Sequence, residues 1–471
     1  MDSAVFCFPP FINIISKINL PFLLNIMMKP SCIQDKVSGF AHFLFLIWCK
    51  MMFAQKNIIN PEDYSLMCLS KLASQISESP TLKLNEAARI LRSQGKPVIN
   101  LGIGEPQNKA PESAIAEANK KLSTGMIKYG PAGGLPSLKE AIIQYTEANY
   151  RRSVVPENII VTNGAKQALF NILFSIIDPD DEVILFAPYW VSYPDLIKIV
   201  SGKQVVVSPE DGSFIPNISA LKAAITPATK AIILNSPNNP SGMIFPDGLI
   251  SDIVDICEKN DIYLIMDDIY QQFVFDGQKV PTAYSFTEND VEKSKIIVVN
   301  GVSKLYGMTG FRIGWAITNK PLIKTMTNIQ GQTTSCPSII SQVAAEGALK
   351  GDQSVVIDLR SKIEHNRDVL LKEIELIPQV SLIEPMGTFY ALPNFKAYNQ
   401  NSAELAQFIL EKAMVVTVPG SAFGMEGHLR LSYAGPTKEV EEGIKRIRWA
   451  IDPNSPKDII MDKQKLTRDW L

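Results

Sequence analysis

Residues 296 to 315 read Ile-Ile-Val-Val-Asn-Gly-Val-Ser-Lys-Leu-Tyr-Gly-Met-Thr-Gly-Phe-Arg-Ile-Gly-Trp. The first four form a short, continuous apolar run, which is typical of a strand buried on both faces of a sheet. Similar runs precede it, each followed by a turn and an amphipathic helix: Ile159–Thr162, Val183–Phe186, Ala231–Leu234 and Tyr263–Met266. Strands that alternate with helices predict an α/β fold with a mainly parallel central sheet.

Length and composition indicate a globular protein of two domains. The chain has 471 residues, of which 46% are hydrophobic and 20% charged, with a formal net charge of −2. It lacks the basic excess that binds nucleic acid. Its most apolar stretch, residues 40–48, is too short to span a bilayer, so no membrane partner is expected. Few histidines and no Cys-x-x-Cys pair leave a metal site without support, and the sparse cysteines beyond residue 70 favour a reducing, cytoplasmic compartment.

Composition also divides the chain into segments. Residues 1–66 are rich in Phe, Ile, Leu and Met and contain no Arg, so we expect a poorly ordered extension or residues upstream of the native start. Residues 67–115 are expected to contribute to a small domain. Residues 116–354 are predicted to form the large domain, and residues 355–452 a smaller α+β domain. Residues 453–471 would then be a C-terminal tail.

Chemically distinctive residues follow the apolar runs. Ligands of open α/β sheets bind beyond the carboxyl ends of the strands, so these residues are candidates for one site. Gly164-Ala165-Lys166 opens a helix, where backbone N–H groups can bind an anion. The other candidates are an aromatic ring, an amide, a carboxylate, a phenol and two cations: Trp190, Asn239, Asp267, Tyr270, Lys304 and Arg312. Each alone has an ordinary structural explanation, but their joint occurrence in this order favours a functional site.

Three motifs are specific enough to indicate a family. They are Ser-Pro-Asn-Asn-Pro-Ser-Gly at 236–242, Ser-Lys-Leu-Tyr-Gly-Met-Thr-Gly-Phe-Arg-Ile-Gly-Trp at 303–315 and His-Leu-Arg-Leu-Ser-Tyr-Ala at 428–434. They resemble motifs of the class I aminotransferases, which are pyridoxal-phosphate (PLP) enzymes of fold type I. Lys-Tyr-Gly-Pro at 128–131 and Gln-Thr-Thr-Ser at 332–335 are similar to the bacterial-type aspartate aminotransferases. The resemblance spans about residues 67–451.

This resemblance implies a PLP enzyme that moves an amino group between an amino acid, aspartate or another acidic one, and a 2-oxo acid such as 2-oxoglutarate. Lys304 matches the catalytic lysine that holds the cofactor as a Schiff base and moves the substrate α-proton. Asp267 matches the partner of the pyridine nitrogen. The resemblance also implies the remaining cofactor contacts. At the phosphate these are Gly164, Ala165, Lys166 and Arg312, with Tyr129 at the neighbouring subunit's phosphate. At the 3-oxygen they are Asn239 and Tyr270, and Trp190 lies on the ring.

The resemblance also implies the substrate contacts. Arg430 matches the arginine that binds the α-carboxylate, for which a guanidinium suits a bidentate contact. Gly104 matches a backbone contact, and Trp190 and Asn239 also border the substrate. Lys166, Thr81 and Ser335 stand where the subgroup binds a side-chain carboxylate, with Ser335 donated by the other subunit. Because Tyr129 and Ser335 would act across subunits, the resemblance implies a homodimer.

The sequence departs from the family pattern at two places, and four alternatives have to be considered. Gln-Asn-Lys-Ala-Pro at 107–111 replaces the commoner Asp-Phe-Asp-Thr-Pro in a segment that helps close the site, and Phe311 replaces the commoner Trp. Other aminotransferase specificities, aromatic or prephenate, therefore stay open, as does a PLP-dependent β-lyase. A regulator would need a helix-turn-helix module, which residues 1–66 do not resemble. A dinucleotide-binding oxidoreductase would need a third glycine after Gly102-Ile103-Gly104.

Overall fold

The computed structural model of the protein describes residues 70–76, 78, 80–209, 212–461 and 464–470. The chain divides into two units, Met1–Ser74 and Gln75–Leu471. Residues 70–74 of the first unit are described, and there the Ser74 N–H donates to Ser70 O at 3.1 Å. The predictions for residues 1–66 lie outside the described residues, as does the side chain of Thr81.

Helices and strands alternate along the second unit. The helices, α1 to α12, are Pro80–Ser93, Glu112–Ser123, Pro136–Tyr150, Ala165–Ile176, Tyr193–Ile199, Ile218–Ala224, Asp247–Lys259, Lys320–Thr333, Ile339–Lys350, Ser354–Glu375, Ser402–Ala413 and Thr437–Ile451. The strands, β1 to β14, are Ile99–Asn100, Ile159–Thr162, Glu182–Phe186, Lys203–Val207, Thr229–Leu234, Tyr263–Asp267, Ile296–Gly301, Gly314–Ile317, Tyr390–Ala391, Val415–Val416, Val418–Pro419, Leu429–Ser432, Asp458–Met461 and Gln464–Thr467. No helix in the described ranges is long and apolar enough to cross a membrane.

The central sheet has seven strands in the order β2-β8-β7-β6-β5-β3-β4. The pairs β7–β6, β6–β5, β5–β3 and β3–β4 are parallel. Strand β8 alone runs antiparallel to its neighbours β2 and β7. The mainly parallel sheet predicted from the sequence is therefore confirmed, and β4 and β8 are the strands that the apolar runs did not reveal.

Both faces of the sheet are buried, as its continuous apolar strands require. Along β7, Ile296 and Val298 belong to one hydrophobic cluster, whereas Ile297 and Val299 belong to the cluster on the opposite face. Side chains of a strand alternate between the two faces, so one run of four apolar residues contributes to both cores. Full burial of such a side chain stabilises the fold by about 1.5–3 kcal/mol. The sheet is thus a rigid support for the loops at its carboxyl edge.

Three small sheets are formed by strands that precede or follow the seven-stranded sheet in the chain. Strand β1 pairs in parallel with β10. Strands β11, β12 and β9 form an antiparallel sheet, in which Ser432 of β12 lies opposite Tyr390 of β9. In the predicted tail, β13 and β14 form a hairpin. The division into large and small domains at residues 115 and 354 stays a prediction.

Candidate active site

One cavity of about 430 Å³ lies at the carboxyl ends of the parallel strands. The structure brings most of the predicted site residues to its walls: Gly104, Ala165, Lys166, Trp190, Asn239, Asp267, Tyr270, Lys304, Arg312 and Arg430. Charged lining residues include four cations and two carboxylates, Glu105 and Asp267. The excess of positive charge suits anionic ligands. No cluster of three metal-binding side chains occurs within the described residues.

The anion-binding turn lies where β2 leads into helix α4, Ala165–Ile176. Gly164 has a φ of 81°, a backbone conformation that glycine adopts readily. A Cβ atom there would lie 2.4 Å from Arg312 Nη2, so the guanidinium packs directly on the glycine. Arg312 donates from Nη1 to Thr309 O at 2.9 Å. The first N–H groups of a helix lack intrahelical partners, so the turn and the guanidinium together form a site for an anion such as phosphate.

Asp267 ends strand β6 with one of its carboxylate oxygens unpartnered. Tyr193 OH donates to Asp267 Oδ2 at 2.7 Å, and Asn235 Nδ2 donates to the Asp267 carbonyl at 2.6 Å. Oδ1 is buried and has no hydrogen-bond donor among the described residues. Burial raises the pKa of Asp267 to about 6, although the hydrogen bond from Tyr193 acts in the opposite direction. A buried oxygen of this kind indicates that a donor from a ligand completes the site.

Two hydroxyls and an amide form a chain on another wall. Asn239 Nδ2 donates to Tyr270 OH at 3.4 Å, and Tyr270 OH donates to Tyr390 OH at 3.4 Å. Burial raises the pKa of Tyr270 well above its ordinary value, so the phenol stays protonated at neutral pH. The backbone N–H of Asn239 donates to Asn235 Oδ1 at 2.8 Å, which fixes the backbone of Asn239. Tyr270 can therefore donate its proton to a ligand oxygen in the cavity.

Lys304 Nζ is held by a backbone carbonyl, and no carboxylate of the described residues is hydrogen-bonded to it. It donates to Gly104 O at 2.5 Å. Burial lowers the pKa of Lys304 to about 8, and the charges of Arg430 and Arg312 act in the same direction. Glu105 opposes this shift, but its carboxylate accepts a hydrogen bond from Thr309 Oγ1 at 2.5 Å. With a pKa of about 8, roughly a tenth of the amine is neutral at pH 7, which a nucleophile or base needs.

Arg430, on β12, is a buried cation. Its side chain is 2% exposed, and no ion pair within the described ranges includes it. Nη1 donates to Asn239 Oδ1 at 3.1 Å and Nη2 donates to Gly102 O at 3.0 Å, while the buried Nε has no partner. Because an uncompensated buried charge costs several kcal/mol, the arrangement favours an anionic ligand.

Lys166 stands at the mouth of the cavity beside Trp190. Its Nζ donates to Ser192 Oγ at 3.2 Å and lies 4.9 Å from the centroid of the Trp190 ring. Partial burial lowers the pKa of Lys166, with the charge of Arg312 acting in the same direction. The side chain remains exposed to solvent. Lys166 can thus bind one anionic group of a ligand whose other anionic group is bound deeper in the cavity.

Of the predicted site residues that the structure describes, three are not among those that line the cavity: Gly164, Tyr129 and Ser335. Tyr129 is 91% exposed, and Ser335 is also exposed. Their segments adjoin, because the Gly130 N–H donates to Cys336 Sγ at 3.3 Å. The two residues predicted to act across subunits therefore belong to one surface.

The structure also adds residues that sequence reasoning missed. Tyr193 and Asn235 hold Asp267, Glu105 and Thr309 lie beside Lys304, and Tyr390 extends the hydroxyl chain. Asn235 carried a signal, because it directly follows an apolar run. Thr309 lies between Lys304 and Arg312 in the motif at 303–315, whereas the others follow no such run directly, and only the folded chain brings them to the site.

Comparison with known proteins agrees with this geometry. Residues 96–447 match the family model described as aminotransferase class I and II. The chain is 37% identical over 395 residues to the aspartate aminotransferase of Bacillus subtilis, covering 83% of this chain and all of that protein. It is 36% identical over 383 residues to the aspartate/prephenate aminotransferase of Thermus thermophilus, covering 80% of this chain and 97% of that one.

Solved structures give the same result for the fold. The aspartate aminotransferase of Thermus thermophilus with maleate matches with a TM-score of 0.77 and 35% identity, over 81% of this chain and 99% of that one. The aspartate aminotransferase of Rhizobium meliloti matches with a TM-score of 0.77 and 35% identity, over 81% of this chain and 98% of that one. These similarities confirm the α/β fold of type I that the sequence motifs implied. The chain belongs to the class I and II aminotransferase family.

Proposed function

We propose that this aminotransferase uses PLP to move an amino group from a dicarboxylic amino acid, such as aspartate, to a 2-oxo acid such as 2-oxoglutarate. One observation carries the proposal: a single cavity holds four cations, among them a lysine of lowered pKa, next to an unpartnered carboxylate oxygen. A phosphorylated, ring-containing cofactor and a dicarboxylate together supply the anions and the donor that this cavity lacks.

The residues present fit PLP at each of its polar groups. The turn at Gly164 with Ala165, Lys166 and Arg312 would bind the phosphate, and Asp267 Oδ1 would accept the ring N–H. Tyr270 and Asn239 would hold the 3-oxygen, and Trp190 would stack on the ring. When bound, PLP supplies an electron-accepting ring, which a carboxylate at the ring nitrogen keeps protonated.

Lys304 is the proposed acid and base. Its Nζ would take the α-proton of the substrate and return it, because a pKa of about 8 makes both protonation states accessible near neutral pH. The hydrogen bond to Gly104 O and the neighbouring carboxylate of Glu105 orient the amine in the cavity.

Two cations would bind the two carboxylates of the substrate. Arg430, with its unpartnered Nε, faces the cavity from β12 and would bind the α-carboxylate. Lys166 at the mouth, with Ser192 beside it, would meet the distal carboxylate. Thr81 and Ser335 are proposed to add hydroxyls there. A dicarboxylic substrate satisfies both cations, whereas an apolar one would leave Lys166 without its partner.

We also propose that the active unit is a homodimer in a reducing, cytoplasmic setting. The exposed Tyr129 closes a stretch whose apolar members Leu122, Met126 and Ile127 are 55%, 64% and 39% exposed. A second copy that covers this surface would bring Tyr129 and Ser335 to the neighbouring cavity. Aromatic residues are enriched at such interfaces. Cys257 and Cys336 are both free thiols.

The test follows the absorbance of the PLP-loaded protein after addition of one amino acid at a time. Aspartate should convert the cofactor to its pyridoxamine form and release a 2-oxo acid without ammonia. Subsequent 2-oxoglutarate should restore the original spectrum. Release of ammonia and pyruvate from a substrate with a β-leaving group, without pyridoxamine formation, would instead identify a β-lyase.

A further inference from the structure

We propose that Tyr390 is a positioning residue for the reaction. Its hydroxyl sets the donor strength of Tyr270, and its ring holds Arg430 in place. The inference rests on the proposed function, because it assigns Tyr270 to the cofactor and Arg430 to the substrate carboxylate. Tyr390 contacts both of these side chains, as Asn239 also does, and it lines the cavity.

Tyr390 is itself fixed by its surroundings. It lies on β9, opposite Ser432 of the strand that carries Arg430, and it is 1% exposed. Its N–H donates to Thr388 Oγ1 at 3.1 Å, and its ring centroid lies 4.5 Å from that of Phe389. A side chain packed in this way has little freedom to move its hydroxyl. It can therefore act as a fixed reference for the groups it contacts.

The hydroxyl of Tyr390 completes the hydrogen bonding of Tyr270. A phenol has one proton and two lone pairs. In the structure, Tyr270 OH accepts a hydrogen bond from Asn239 Nδ2 and donates one to Tyr390 OH, both at 3.4 Å. If the proton of Tyr270 turns to the 3-oxygen of the cofactor, the Tyr390 hydroxyl can rotate and donate to the oxygen of Tyr270.

A donor at the oxygen of Tyr270 makes that phenol a stronger donor in turn, because hydrogen bonds in a chain polarise one another. The Tyr390 hydroxyl would thus stabilise an ionised 3-oxygen through Tyr270, although it does not reach the cofactor itself. Loss of this hydroxyl should make the 3-oxygen harder to ionise. The pH at which the cofactor spectrum changes should then rise.

The ring of Tyr390 acts on a different group. The Arg430 Cζ lies 4.3 Å from the centroid of the Tyr390 ring and 5.0 Å from that of Phe423. Attraction between a guanidinium and aromatic faces strengthens when water is excluded, and Arg430 is buried. The two rings, together with the hydrogen-bond acceptors at Nη1 and Nη2, orient the guanidinium of Arg430 and leave its Nε for a ligand. Substrate binding should therefore depend on the ring and not on the hydroxyl.

Two substitutions separate the two effects. Tyr390→Phe removes the hydroxyl alone and should raise the spectrophotometric pKa of bound PLP by about half a unit, as expected for a weakened hydrogen bond. The KM for aspartate should stay within about twofold of wild type, since Arg430 keeps its ring. Tyr390→Leu removes the ring and should raise that KM roughly ten- to thirty-fold.

Matched controls make a general structural effect visible. Tyr433→Phe removes another buried hydroxyl, which donates to Gly387 O at 3.4 Å and lies outside the cavity lining, and it should leave the titration unchanged. Tyr270→Phe should itself shift the titration, and addition of Tyr390→Phe to it should cause no further shift, because the effect passes through Tyr270.

Several outcomes would overturn the proposal. A titration of Tyr390→Phe that matches wild type, or an equal further shift in the Tyr270→Phe background, would reject the role of the hydroxyl. An unchanged KM in Tyr390→Leu would reject the role of the ring. The titration needs only bound PLP, so wild-type protein that titrates but does not react with aspartate would overturn the proposed substrate alone.

Discussion

Replacement of Lys166 by methionine removes one charge from the mouth of the cavity and keeps a side chain of similar length. A hydrogen bond to a charged group contributes about 1.5–3 kcal/mol when it is desolvated. Lys166 is exposed, so solvent screening favours the lower end of that range. We therefore expect kcat/KM for aspartate to fall roughly ten- to thirty-fold, since about 1.4 kcal/mol corresponds to tenfold. An apolar amino acid makes no contact with the charge and should lose less than about threefold.

The assay compares kcat/KM for aspartate and leucine in wild type, Lys166→Met and the control Lys222→Met. Lys222 is an exposed lysine of helix α6, outside the lining of the cavity, and its substitution should alter neither value. The ratio of the two kcat/KM values cancels differences in active-enzyme concentration. Equal losses on both substrates, or no preference for aspartate in wild type, would refute the assignment of Lys166 to the distal carboxylate.

Three further predictions concern other parts of the chain. Arg430→Lys should raise KM for both amino and 2-oxo acids about tenfold or more, because an ammonium does not reproduce a guanidinium fork, and an unaltered KM would remove Arg430 from the site. Capture of PLP by cofactor-free protein should accelerate as pH rises through about 8, since the neutral form of Lys304 is the nucleophile; a rate independent of pH from about 6.5 to 9 would contradict this. A chain that begins at Met67 should be soluble, dimeric and active by chromatography and assay, whereas failure to fold would show that residues 1–66 contribute to stability.

The sequence predicted the interior of the sheet because interior strands bury both faces. The run Ile159–Thr162 coincides with β2, and the other runs lie within β3, β5, β6 and β7. Strand β4 was missed for a physical reason. It is an edge strand that begins with the exposed residues Lys203 and Gln204, so its apolar run is only the three residues 205–207. Strand β8 is as long as β2, but it begins with Gly314 and runs antiparallel to both of its neighbours, so it does not continue the alternation of strand and helix.

The candidate site was predictable only where its residues follow strands. Asp267, Lys304 and Asn239 stand at or just beyond strand ends, and topology alone brings them to one edge of the sheet. Tyr390 meets Tyr270 across 120 residues of chain, and no local pattern connects the two. Tyr129 and Ser335 need a second copy of the chain, so their roles stay predictions.

Lys304 is the residue that we propose bonds to PLP. The most direct measurement is borohydride reduction of the PLP-loaded protein, followed by proteolysis and mass spectrometry of the peptides. In wild type, the added mass of the reduced cofactor should be found on Lys304. In Lys304→Ala, PLP should still bind without being fixed, because Arg312, Asp267 and the turn at Gly164 remain. Reduced cofactor on another lysine, or none on Lys304, would contradict the assignment of Lys304.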